Sequence, residues 1–239
     1  FYSEAISGVL VAEFPFGKEA RNAVKLAELT SECLAVDLET KGEKIFRIGA
    51  LFGDEQFERK GRFAAPQALD ELDRLAEDCR YLIGHNLLDF DLPLLQRLFP
   101  HLKLLRKPVL DTLYLSPLAF PENPYHRLVK DYKLVKDSLN DPVADARLAL
   151  RLFADQWKSF SQLAGTDRIH VLSLYRYCLD NARLAADSDA GGFAAVFEGL
   201  GAPVITEDEA RAVFCSISEG RACKAAAADL AAGFNGASQ

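Results

Sequence analysis

The chain has 239 residues, 49% of them hydrophobic and 26% charged, which suits one large domain or one domain with an appendage and excludes a disordered chain. A net charge of −7 and a pI near 5.2 argue against a general basic surface for nucleic acid, while leaving room for local basic patches. Five cysteines without a C-x-x-C pair read as free thiols in a reducing compartment, and no zinc site is expected. No apolar run is long enough to span a bilayer and no signal segment is visible, so a cytoplasmic protein is expected. The chain starts at Phe1 and contains no methionine, which is compatible with a segment of a longer protein.

Residues 1–16 give no firm pattern, and Ala20, Val24, Leu26 and Ala27 predict an amphipathic helix over Lys18 to Leu29. The stretch from Cys33 to Thr40 is an apolar strand whose end carries Asp37 and Glu39. Side chains at i and i+2 of a strand share a face, so the two acids project together and repel. Crowding them raises the pKa of at least one unless a cation sits between them; two solvated acids at a strand end is the plainer alternative. A polar turn at Lys41-Gly42-Glu43 leads to a second strand, Ile45 to Phe52, and Gly53-Asp54-Glu55 to a third, Gln56 to Phe63.

Pro66 then opens a helix with Leu69, Leu72, Leu75 and Ala76 at helical spacing. Tyr81-Leu82-Ile83-Gly84 is a short buried strand ending at His85-Asn86, and a helix follows from near Asp91. Pro108-Val109-Leu110 is a further strand, ending at Asp111-Thr112, and Leu113 to Leu118 starts another helix. Three prolines between Pro117 and Pro124 predict irregular chain there, and a basic stretch holding Arg127, Lys130, Lys133 and Lys136 comes next. Pro142 opens a long helix with Val143, Ala146, Ala149, Leu150, Phe153 and Trp157 on one stripe.

This order predicts an α/β fold: a mixed five-stranded sheet, beginning as an antiparallel meander and flanked by helices. Beyond about residue 160 the pattern is helical only. The expected organisation is an N-terminal extension over 1–30, a central domain over 31–164, and a small helical C-terminal appendage or linker over 165–239.

Three further acids stand at strand ends or in first helical turns: Asp91, Asp111 and Asp145. An acid there complements the helix dipole or caps the helix, and for Asp111, beside Thr112, capping is the preferred reading. Taken in order, Val36-Asp37-Leu38-Glu39-Thr40, Ile83-Gly84-His85-Asn86 with Phe90-Asp91, Asp111-Thr112 and Asp145-Ala146-Arg147-Leu148-Ala149 resemble the motifs of the DEDD, or DnaQ-like, 3'-5' exonucleases, over about residues 31 to 160. The resemblance implies a ribonuclease H-like fold and two Mg²⁺ or Mn²⁺ ions on Asp37, Glu39, Asp91 and Asp145, with Asp37 bridging. It implies hydrolysis from the 3' end of a nucleic acid, single-stranded DNA being the expected substrate and RNA the next.

The same resemblance places Leu38, Thr40, His85 and Asn86 beside the terminal nucleotide. Phe90 is a candidate for stacking on a base, and Arg127, Lys130 and Lys133 for following the strand backbone. One motif departs from the family. Where its histidine branch has a general base five residues before the last aspartate, this chain has Asn140, and where its tyrosine branch has tyrosine it has Asp141. Asparagine cannot take a proton from water at neutral pH. His126 is the best substitute base, with a surface or phosphate-contacting histidine as the competing reading, and Asp141 is a weaker substitute. A weak or inactive exonuclease-like interaction module is therefore the rival expectation. A fused or associated helicase or repair protein is a further one; any motor would lie outside this chain, which has no Walker A sequence. Nothing in the sequence indicates an oligomeric state.

Overall fold

A computed structural model describes residues 17–123, 126, 141–163, 167–182 and 191–219. The expectations for residues 1–16, for Asn140, for Arg127, Lys130 and Lys133, and for the tail beyond 219 lie outside the described residues. Helix α1 (Lys18–Ser31) leads into β1 (Cys33–Lys41), which turns into β2 (Lys44–Phe52) and then β3 (Glu55–Lys60). Helix α2 (Ala65–Leu75) carries the chain to β4 (Tyr81–Gly84), α3 (Leu92–Leu98) to β5 (Val109–Asp111), and α4 (Thr112–Ala119) follows at once. Then come α5 (Pro142–Gln162), α6 (Asp167–Asp180), α7 (Gly191–Gly199) and α8 (Glu207–Glu219).

The sheet order is β3-β2-β1-β4-β5, antiparallel across β3-β2-β1 and parallel across β1-β4-β5. This is the expected α/β fold with a mixed five-stranded sheet flanked by helices. Both tight turns of the meander use glycine in the left-handed region, Gly42 at φ 61° and Gly53 at φ 56°. The strands β1, β4 and β5 end at the same edge, but β1 pairs with β4 only over Cys33 to Ala35. Its last residues, from Asp37 onward, therefore outrun β4 and stand beside the loop that leaves it.

Alternation decides which residues face which layer. Val36, Leu38, Ile48 and Ala50 are buried on one face of the meander. The other face carries Asp37, Glu39 and Gly49, and the first turn of α5 rests on it at Gly49. A Cβ placed on Gly49 would lie 2.3 Å from Val143 N and 2.4 Å from Pro142 C, so only glycine allows the first turn of α5 to rest on β2. The predicted stripe of α5 packs inward, with Val143, Ala146, Ala149, Phe153 and Trp157 buried. Leu172 of α6 and Phe193 and Phe197 of α7 enter the same apolar core, Phe197 against Phe160 of α5. At Gly192 a Cβ would meet the Val109 carbonyl at 2.1 Å, so α7 lies directly on the edge strand β5. Among the described residues no helix is long and apolar enough to cross a membrane.

The structure changes two local expectations. The third strand stops at Lys60, because Gly61 turns away at φ 80°. Helix α4 runs through Pro117 to Ala119, where the prolines predict irregular chain. Burial of Leu115, Leu118 and Ala119 holds it, and the Thr112 carbonyl accepts from Ser116 Oγ at 2.9 Å and Gln156 Nε2 at 2.7 Å.

Replacing Gly49 by Ala should push the start of α5 off the sheet, because the obstructing atoms are backbone. The expected cost is ~1–3 kcal/mol in a urea unfolding titration. An unchanged midpoint would contradict the close contact.

Candidate metal centre

Asp37 and Glu39 leave β1 on the α5 face, half-buried, while Val36 and Leu38, before and between them, are buried on the other. Asp37 is paired with Gly49, the residue on which α5 rests. That contact brings the first turn of α5 over the acids. Asp141 caps the helix, its Oδ1 accepting from Ala144 N at 3.1 Å, and its carbonyl accepts from Asp145 N at 2.9 Å. Asp145 thereby joins Asp37 and Glu39, with one carboxylate oxygen of each within 4.8 Å of the others.

Asp91 arrives by a different route. The expected helix start is preceded by a π-helical turn, Leu87–Asp91, entered through Asn86 in the left-handed conformation at φ 69°. Gly84 makes the turn possible, since a Cβ there would meet Leu87 Cγ at 2.6 Å and the Val36 carbonyl at 2.7 Å. Asp111 then pins it. One oxygen of this fully buried carboxylate accepts from Asn86 N at 2.8 Å and Leu113 N at 2.9 Å, and the other from Leu88 N at 2.9 Å. The expected cap of α4 is present, and the same side chain also holds the turn that carries Asp91.

Asp91 is 4% exposed, and its Oδ1 is buried with no hydrogen-bond partner among the described residues. Burial pushes its carboxyl well above the ordinary range, and the charges of Asp37, Asp111 and Glu39 push it the same way. The oxygen donors of Asp37, Glu39 and Asp145 could hold a hard divalent cation; Asp91 stands outside that group of three, with its ionisation opposed by Asp37 and Glu39.

Around these acids the other expected residues separate. His85 Nδ1 lies 2.9 Å from Thr112 Oγ1, which donates to the Gly84 carbonyl at 3.0 Å. Burial lowers the pKa of His85 to about 4, partly offset by its bond to the His126 carbonyl, so at neutral pH it carries no charge. His126 is half-buried beside it, with Nδ1 unpartnered among the described residues. Phe90, next to Asp91, is 53% exposed. Leu38 is buried in the core and not brought to the acids; Thr40 lies past a register shift in β1, half-buried. Asn86 contributes backbone only, its side chain forming no cap bond. Sequence reasoning missed Gly49, for which the available signal was a glycine inside an apolar strand.

Comparisons with protein-family models, curated proteins and solved structures give no match to the chain.

The buried acids make stability depend on pH and on metal. The carboxyl of Asp111 stands at about 6 against an ordinary 3.8, because burial raises it more than its three N–H donors lower it. The folded chain therefore binds this proton more tightly than the unfolded chain. The resulting stabilisation is complete below pH ~4 and lost as pH rises through 6, a span of ~3 kcal/mol. An Asp111→Asn protein cannot titrate and offers one acceptor oxygen to three N–H groups. Urea unfolding should show it ~1–3 kcal/mol less stable than the parent at pH 7, with the gap widening toward pH 4. Equal gaps at both pH values would reject the assignment. The Asp91→Asn protein removes a repelled, buried charge, so in EDTA at about pH 8 it should be ~1–2 kcal/mol more stable than the parent. It should also lose the rise in melting temperature that Mn²⁺ gives the parent, and a retained Mn²⁺ response would exclude Asp91 as a ligand.

Proposed function

We propose that this chain is a metal-dependent 3'-5' exonuclease with a ribonuclease H-like fold. On this reading it hydrolyses phosphodiester bonds from the 3' end of single-stranded DNA, with RNA as the nearest alternative, and releases nucleoside monophosphates. The observation that carries the reading is the convergence of carboxylates from three separate elements: Asp37 and Glu39 on β1, Asp145 on α5, and the buried, repelled Asp91 on the turn after β4. The strand order β3-β2-β1-β4-β5 with an antiparallel β2 is compatible with the ribonuclease H-like fold that the motifs suggest.

Two Mg²⁺ or Mn²⁺ ions would be held by these four acids, with Glu39 and Asp145 on one, Asp91 on the other and Asp37 shared, in keeping with Asp37 being the charge that perturbs Asp91 most. Such ions supply Lewis acidity toward the attacking water and the departing 3' oxygen. The remaining work belongs to the chain. Phe90, next to Asp91 in the chain, offers an exposed ring for a terminal base. Neutral His85 fixes the end of β4 through Thr112 and holds the backbone at His126. Asn140 cannot accept a proton from water, and Asp141 is occupied in capping α5. His126, held against His85 through its own carbonyl, is the group proposed to take that proton.

The test uses 3'- and 5'-labelled single-stranded DNA and RNA with Mg²⁺, Mn²⁺ or EDTA. A metal-dependent ladder from the 3' end that vanishes in Asp37→Ala is the expected result; no product with either ion would refute the exonuclease reading and favour an interaction module. His126→Ala should slow the reaction by ~10²-fold or more if it removes the general base. A gain in Asn140→His would identify the departure from the histidine branch as rate-limiting.

A further inference from the structure

The sheet register assembles charges that are scattered in the sequence. Glu39 is paired with Arg47, and Arg47 with Lys60, so the three occupy one row across β1, β2 and β3 on one face. Past a register shift between Glu39 and Thr40, that face runs on toward the turn, where Lys41 is paired with Lys44. It is the face of Gly49 and of the acid cluster. Lys41, Lys44 and Lys60 are exposed and Arg47 is half-buried.

Besides Glu39, which is paired with Arg47, two more acids adjoin these cations among the described residues. Glu58 lies two residues before Lys60 on β3 and meets its Nζ at 3.3 Å, an exposed pair of the kind that exchanges readily with a competing anion. Glu43, in the turn, pairs with Arg97 of α3 at 3.1 Å. The cations are also close enough to matter: two residues along a strand is ~7 Å and two strands across is ~10 Å, so each stands within a nucleotide or two of Glu39. The acids are flanked on another side by the Leu87–Asp91 turn, where Tyr114 donates from its hydroxyl to Asp89 at 2.9 Å.

We propose that Lys41, Lys44, Arg47 and Lys60 form a phosphate-binding arc for the nucleotides immediately 5' to the cleaved linkage, so that the strand leaves the site across β2 and β3. The assignment rests on the exonuclease reading, because the acids define where the 3' end lies. It explains how a chain of net charge −7 can hold a polyanion: the positive charge is local and sits on the face that carries the chemistry. The arc acts on phosphate and carries no base specificity.

The experiment compares the parent with two paired variants, Lys41→Gln/Lys44→Gln and Arg47→Gln/Lys60→Gln. A third pair, Lys103→Gln/Arg106→Gln, removes the same charge from the turn before β5, at the opposite edge of the sheet. Binding of 5'-fluorescein-labelled oligothymidylate is followed by anisotropy in EDTA over a range of KCl, and KM is measured separately in Mn²⁺. Each arc pair should raise Kd and KM and flatten the plot of log K against log salt by about 1.4, which is ~0.7 for each phosphate that is no longer neutralised, while the third pair leaves the slope unchanged. If the parent cuts from the 3' end and the arc pairs match the third pair, the arc is wrong and the exonuclease stands. If the oligonucleotide binds in an arc-dependent way and nothing is cut with either ion, the exonuclease fails and the arc survives as a binding surface. If the parent neither binds nor cuts, both are overturned.

Discussion

The approach of α5 to β2 at Gly49 is the contact on which the rest of the molecule depends. A helix normally stands clear of a sheet by the length of the side chains between them, yet here Pro142 and Val143 occupy the volume of an absent Cβ. Because Gly49 is paired with Asp37, that one missing atom decides how near Asp145 comes to the acids of β1. The apolar stripe of α5 supplies the adhesion, through Val143, Ala146, Phe153 and Trp157. The cap by Asp141 sets where the helix begins, and hence which residue of its first turn points at the sheet. Packing, capping and glycine act on the same turn.

What this contact creates is electrostatically unfavourable. Three carboxylates lie within 4.8 Å of one another, and Asp91 is buried beside Asp37 with its own ionisation opposed. Like charges crowded in this way repel, and on the proposed metal reading a cation between them would relieve the repulsion. The edge strand β5 is covered by α7 at Gly192, and Phe193 and Phe197 lock that helix into the central core.

Short-range pattern is what the sequence makes legible. Period-two alternation places Asp37 and Glu39 on one face, the stripe after Pro142 marks α5, and Asp111 beside Thr112 marks a cap. Features that depend on partners distant in the chain stay illegible. The π-helical turn over Leu87–Asp91 has no periodic signature, and it exists because Asn86 accepts a left-handed conformation while Asp111 gathers three N–H groups around it. Pro117 reads as a break, but the helix continues past it, with its first turn tied by a local bond from Ser116 and a tertiary one from Gln156. The basic stretch Arg127 to Lys133 draws the eye in the sequence. The register brings other cations, Arg47 and Lys60, into a row with Glu39, and no sequence window could have joined them.

Asp91 and Asp111 show how environment, rather than residue type or burial, assigns a role. Both are buried aspartates at the same end of the sheet, and burial raises the pKa of each. Asp111 is surrounded by three backbone donors that pull it back toward ionisation, and every one of those bonds joins two elements of the chain. Asp91 faces other carboxylates, and its Oδ1 has no donor among the described residues. The first is therefore complete as it stands and holds structure together. The second is left with its charge opposed, and because Asp111 fixes the turn that carries it, the structural acid determines where Asp91 stands.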